Sequence, residues 1–222
     1  MAGPLPNSAS QPPTGLRERK KQQTREALVD AGLRLFVEHG FAETTLDEVC
    51  AQAEVSKRTF FRYFTSKEDL ALDPSHELWS TFLGEMESLR PSGGTVFEAL
   101  QEVLLAALDK MTAPRWAERM AACRLLAEVS PSITAHNLSF CDRISSEACK
   151  TLSARLALAD PEDLRTRLAQ DLLVAAFQSA VERWAHASGR KTALGLRTRL
   201  QHALAAAAQV TMYAGTPAHA GG

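Results

Sequence analysis

The chain of 222 residues carries 25 Lys and Arg against 26 Asp and Glu, a formal net charge of -1 at pH 7. That balance excludes binding to polyanions by bulk charge, so any contact with nucleic acid has to come from a local cluster. Ala, Leu, Glu and Arg dominate and apolar residues recur at steps of three and four, which predicts an all-α protein with a substantial core.

Four cysteines, Cys50, Cys123, Cys141 and Cys149, lie far apart without CxxC pairing. They read as small buried residues in a reducing compartment, a zinc site or thiol sensor being the alternative. No apolar run approaches the roughly 18 residues of a membrane span, and Met1 to Thr14 lacks the pattern of a signal peptide. A cytoplasmic protein with no membrane partner is expected.

Met1 to Gly15, rich in Pro, Ser and Gly, reads as a disordered tail. The basic stretch Leu16 to Lys21 then leads into a helix whose stripe of Leu28, Ala31, Leu35 and Phe36 stops at Gly40. Thr44-Thr45 offers a hydroxyl cap for a short helix ending near Ala53. Ser56 caps a second, through Phe64, after the turn Glu54-Val55. Thr65-Ser66 caps another start, with Glu68 and Asp69 in its first turn as the helix dipole favours. Pro74 interrupts or restarts that helix, and the stripe Leu78, Phe82, Met86 runs on to the break at Arg90-Pro91-Ser92-Gly93-Gly94.

Four long amphipathic segments follow. Phe97 to Met111 marks the first, Trp116 to Ala127 the second, and Pro131 to about Ala159 the third. Asp160-Pro161-Glu162-Asp163 signals the start of a fourth, with Leu164, Leu168, Leu172, Ala176, Ala180 and Trp184 at four-residue steps. After Ser188-Gly189 a last helix carries Leu196, Leu200, Leu204 and the run Ala205 to Ala208, and the chain loosens again from Ala214.

The two short helices cannot be stable alone. Thr45, Val49, Ala53, Val55 and Phe60 fall on inner faces that meet through a tight turn, as a helix-turn-helix requires. Ser56, Lys57, Arg58, Thr59, Arg62 and Tyr63 are left on the outer face. Arg and Lys reach guanine edges and phosphates, while Ser, Thr and Tyr donate to phosphate oxygens. Lys67 adds a cation at the next helix start.

The run Gly40 to Leu70, above all Tyr63-Phe64-Thr65-Ser66-Lys67-Glu68-Asp69-Leu70 after the helix-turn-helix, resembles the TetR/AcrR family signature, and the likeness covers about Arg17 to Leu72. Three positions depart from it. Cys50 stands where alanine is common, Glu54 where a turn glycine is common, and Arg58 where glycine is common. Glu54 is strained if its backbone needs a positive φ. The resemblance implies recognition-helix contacts from Lys57, Arg58, Thr59, Phe61, Arg62 and Tyr63, with Thr45 and Lys67 at phosphate-contacting helix starts. It further implies a basic arm of Arg17, Arg19, Lys20 and Lys21.

By the same resemblance the chain divides into a disordered tail (1–15), a helix-turn-helix DNA-binding domain (16–66), a helical ligand-binding and dimerisation domain (67–213) and a flexible tail (214–222). A helix-turn-helix usually reads two half-sites as a dimer. The last two helices supply candidate interface residues Leu172, Ala176, Ala180, Trp184, Leu200 and Leu204; the alternative is that these complete the monomer core. The middle helices are left to hold a small-molecule effector. Arg119, Arg124, His136 and Asn137 could line its cavity and Trp79, Phe82, Trp116 and Met120 could wall it, core packing or surface exposure being the other role for each. Arg58 to Phe64 also resembles a subgroup described as binding acyl-CoA-like molecules. The sequence contains no Gly-rich phosphate loop, no metal-spaced His cluster and no Gly-x-Ser-x-Gly elbow, so neither catalysis, metal nor cofactor is expected. A repressor on a palindromic operator is the expectation; an activator, or a DNA-binding protein without an effector, is the alternative.

Overall fold

A computed structural model describes residues 14–90, 94–156 and 163–209, in which all regular structure is helical. Of the tail expected over 1–15, residues 1–13 lie outside the described residues, as do Pro91 to Gly93, 157–162 and the chain beyond Gln209. Helix α1 (Thr14–His39) begins two residues earlier than expected, and its residues from Gly15 to Gln23 are exposed. It ends at Gly40, whose φ of 91° is the left-handed conformation that closes a helix, with its N–H donating to the Phe36 carbonyl at 3.1 Å.

Helices α2 (Leu46–Gln52), α3 (Lys57–Phe60) and α4 (Lys67–Ala71) are short and individually capped. Thr45 and Glu48 form a reciprocal capping box on α2, Ser56 accepts from the Thr59 N–H on α3, and Ser66 accepts from the Asp69 N–H on α4. The α3 helix is shorter than the segment to Phe64 that was expected. After Phe60 the ladder tightens to three-residue steps, Arg62 N–H to Thr59 O and Tyr63 N–H to Phe60 O. At Gly32 on α1 a Cβ would come within 2.4 Å of Leu70 Cδ2, so α4 lies hard against α1.

Pro74 does restart the chain. Helix α5 (Asp73–Met86) follows α4 after one residue, Leu72, which ends the first helix and begins the second. Then come α6 (Val96–Asp109), α7 (Trp116–Val129), α8 (Pro131–Arg155), α9 (Leu164–His186) and α10 (Ala193–Gln209). Helix α8 stops short of Ala159. Asp163, rather than the Asp160-Pro161 signal outside the described residues, caps α9 by accepting from the Arg165 N–H.

Two apolar cores result. One joins Leu28, Phe36, Val49, Phe60, Phe64 and Leu70 within the first four helices, and Cys123, Leu126 and Ile133 from α7 and α8 pack into it. The other fills the space among α5 to α10. The N-terminal head is therefore seated on the larger domain by shared apolar packing. Polar ties reinforce the seam: Arg119 grips Asp30 with two hydrogen bonds of 2.8 and 2.9 Å, and Arg25 Nε donates to Asp73 at 2.8 Å; within the larger domain Trp116 Nε1 donates to the Pro74 carbonyl.

The expected dimer residues need correction. Ala176, Ala180, Trp184, Leu200 and Leu204 are buried in the core of their own chain, where α9 packs on α10, and Leu172 is half-buried. Leu164 and Leu168, placed in the same stripe, are instead 66% and 56% exposed. Steps of four residues drift by about 40° each on a 3.6-residue helix, so a row from 164 to 184 swings through roughly 200°. The outward face of α9 carries Leu164, Leu168, Ala175 and Ser179.

Candidate nucleic-acid interface and adjoining cavity

The turn between α2 and α3 holds Glu54 at φ 54°, the left-handed region expected for the glycine it replaces. Beyond it, Arg58 and Arg62 are exposed at successive turns, and Phe61 is 56% exposed with its edge against buried Phe60. Arg62 lies over the Tyr63 ring and donates to its hydroxyl at 3.3 Å, which holds the guanidinium and the phenol as one unit. Lys57 is not free: its ammonium pairs with Asp47 of α2 at 2.9 Å, across the turn between the two helices.

Two hydroxyls assigned to phosphate already have partners. Thr45 donates to and accepts from Glu48, and Ser56 contacts the hydroxyl and N–H of Thr59. Lys67 is first a structural tie. Its ammonium donates to the carbonyls of Phe41 at 3.0 Å and Thr44 at 2.6 Å and sits 4.8 Å from the Phe41 ring centre. That binds the start of α4 to the loop before α2 and leaves one ammonium proton for any ligand.

Arg17, Arg19, Lys20 and Lys21 are all exposed, on a helix rather than an extended arm. Lys21 and Arg25 of α1, with Glu18 beside Lys21, share a groove with Arg62 and Tyr63, so the basic end of α1 continues the surface presented by α3. A chain of net charge -1 thus concentrates cations along one edge of its head.

A cavity of about 260 Å³ lies in the larger domain between α5, α7, α8 and α9. Of the residues singled out from sequence, Trp79, Met120, Arg124 and Asn137 line it. Phe82 and Trp116 are packed into the core, Arg119 is engaged with Asp30 at the seam, and His136 sits beside His76 outside the cavity. The missed wall is α9, through Val174, Phe177 and Val181. Phe177 and Val181 are four residues apart and one position off the row that was read as an interface, which was the available signal. Cys123 and Cys141 also face the cavity, and burial pushes the Cys123 thiol up to about 12 and the Cys141 thiol up as well. Neither is a ready nucleophile at neutral pH.

Burial acts differently on the two carboxyls at the joint between the domains. Burial acts to raise the Asp69 carboxyl, but hydrogen bonds from His76 and from the N–H and hydroxyl of Thr65 outweigh it and hold it at about 2. Four residues on, burial raises Asp73 despite Arg25 beside it.

A capped helix-turn-helix with outward arginines, fused to a helical domain around a cavity, defines the class of DNA-binding regulators. Residues 28–73 match the profile described as bacterial regulatory proteins, tetR family. The chain is 32% identical over 170 residues to the HTH-type transcriptional regulator TcmR of Streptomyces glaucescens, covering 74% of this chain and 73% of that one. It is 27% identical over 177 residues to the regulator AcrR of Shigella flexneri, covering 75% and 80%. Among solved structures, FadR of Thermus thermophilus, a TetR-family transcriptional repressor in complex with lauroyl-CoA, superposes with a TM-score of 0.51 at 26% identity over 89% of this chain and 100% of that one. A TetR-family regulator from Syntrophomonas wolfei shares the fold, with a TM-score of 0.59 at 14% identity over 89% and 100%. The chain belongs to the TetR family of bacterial regulatory proteins: it is a DNA-binding transcription regulator and not an enzyme. No described helix is long and apolar enough to cross a membrane.

Proposed function

We propose that the chain is a cytoplasmic, homodimeric repressor that grips a palindromic operator and is released when a small molecule enters the cavity. The observation that carries this reading is the position of Leu72. It joins α4 to α5, packs into the core of the head and lines the cavity, while Cys123 likewise belongs to both. A ligand that moves either residue therefore favours one orientation of the head over another, which is the differential interaction a ligand-driven shift needs. The lauroyl-CoA bound to the Thermus protein supports a small-molecule effector.

In this reading residues 16–66 form the reading head, with α4 seated on it up to the joint at Leu72, and 67–213 the sensing and pairing domain. Arg58 and Arg62 read base edges. Ser56, Lys57, Thr59 and Tyr63 approach the backbone, Phe61 packs on sugar, and Thr45 and Lys67 present helix starts to phosphate. Arg17, Arg19, Lys20 and Lys21 extend the contact along the duplex. Two copies pair through the outward faces of α9 and α10, around Leu164, Leu168, Ala175, Ala205 and Ala208.

The test is a gel-shift and footprint on DNA flanking the gene, at two salt concentrations and against random competitor, with selection from a random DNA pool alongside. Salt-sensitive protection of two half-sites supports the reading. Failure to protect any flanking DNA, together with no enrichment from the pool, overturns it.

A further inference from the structure

The cavity's polar atoms indicate what would fill it. Two side chains that line it each carry a buried polar atom with no hydrogen-bond partner among the described residues: Nε of Arg124 on α7, a donor, and Oδ1 of Asn137 on α8, an acceptor. Each such atom costs about 1–3 kcal/mol when left unpaired, so a ligand that pairs both gains by doing so.

Charge narrows the class. Among the described residues that line the cavity, only Arg124 and Glu182 are charged. Arg124 is already answered twice, by Glu128 at 3.2 Å and Glu182 at 3.7 Å, and Glu128 in turn meets His186 at 3.0 Å. No surplus positive charge is left to stabilise a buried carboxylate or phosphate. Size narrows it further. At about 260 Å³ the cavity falls below the roughly 300–1,000 Å³ of sites that enclose drug-sized ligands. Its apolar walls, with Trp79 and Phe177 in edge-on contact at 5.0 Å, suit a compact ring system.

We propose that the effector is an uncharged, compact ring compound bearing a carbonyl-type acceptor for Arg124 Nε and a hydroxyl-type donor for Asn137 Oδ1, and not a fatty acid or acyl-CoA. This inference rests on the proposed ligand-responsive reading.

The experiment is a thermal-shift and Trp-fluorescence screen of the full chain. One set is uncharged compact ring compounds with one carbonyl and one hydroxyl, including hydroxylated chromanones; the other is laurate and lauroyl-CoA. Stabilisation by members of the first set supports the inference, provided their affinity falls about tenfold or more in Arg124→Lys and in Asn137→Leu. Arg124→Lys keeps a positive charge beside both glutamates, so a folded variant is expected, and unliganded melting of each variant checks it. Binding of laurate or lauroyl-CoA alone overturns the ligand class and leaves the effector reading standing. Binding of neutral rings unaffected by both substitutions overturns the assigned contacts. No binding from either set, in protein that still grips DNA, overturns the effector reading as well.

Discussion

Replacing Glu54 by glycine is expected to stabilise the protein. Glu54 sits at φ 54°, where its Cβ crowds the following carbonyl. A non-glycine residue pays about 1–2 kcal/mol for that conformation. Glycine removes the crowding but adds conformational freedom to the unfolded chain, at about 0.5–1 kcal/mol. Glu54 is exposed, and no ion pair to it is seen among the described residues, so nothing else of that size is lost. The net gain lies between about 0 and 1.5 kcal/mol and centres on about 0.7 kcal/mol, a rise of roughly 1–3 °C in Tm for a chain of this size. Differential scanning calorimetry of the wild type, Glu54→Gly and Glu54→Ala tests it. Alanine removes the charge and keeps the strain. If alanine stabilises as much as glycine, the effect is electrostatic and the strain argument fails.

Asp69, held at about 2, supports the fold above the unfolded value near 4 and loses that support as pH falls between about 4 and 2. Its share is about 2 kcal/mol. Asp69→Asn should therefore lower stability at pH 7 and flatten the acid limb of a denaturation series; an unchanged limb would remove the His76 and Thr65 contacts from the explanation. Lys67→Met should destabilise the head by about 2 kcal/mol, through two charged hydrogen bonds, and weaken all DNA sequences evenly in a gel-shift. A fully stable variant with weakened binding would show that the third ammonium proton, on DNA, is what matters. Alanine at Arg58 or Arg62 should cost about 1–3 kcal/mol of operator binding and relax one base position each in a selection experiment, and equal losses on random DNA would contradict base readout. Asp47→Ala frees Lys57 and should steepen the salt dependence of binding by about one unit of slope. No change there would mean that Lys57 never meets phosphate.

Local rules carried the head. Each cap that the sequence offers at Thr45, Ser56 and Ser66 is made, because a hydroxyl three residues before a free N–H closes the same ring wherever it occurs. The positive φ at Glu54 was equally legible, since the turn geometry, not the side chain, dictates it. Partnerships between distant elements were not legible. Arg119 and Asp30 are 89 positions apart, and nothing in either neighbourhood distinguishes an arginine lining a cavity from one clamping two domains. The α9 row misled for a different reason. Four-residue steps look like one face on paper, whereas the real helix turns them from solvent at Leu164 into the core at Trp184.

The seam between head and sensor has two unlike halves, and under the proposed function that difference gives the motion its form. On the α1 side, Arg119 is 10% exposed and grips Asp30 with two nitrogens, while Arg115 approaches the same carboxylate at 3.4 Å. A bidentate pair this sheltered resists sliding, because any shift leaves a desolvated charge without its partner. On the α4 side the chain passes through Leu72, with no side-chain cap on α5 and the cavity directly behind it, and the contact across that turn is the Asp69–His76 pair at 3.4 Å, a weaker tie than the arginine clamp. A displacement that starts in the cavity therefore meets a hinge at one edge and a clamp at the other. The head then swings about the α1–α7 contact rather than lifting away, and a swing of two heads in a pair changes the distance between their recognition helices. Operator half-sites lie a fixed helical turn apart, so that distance decides whether both heads can bind at once.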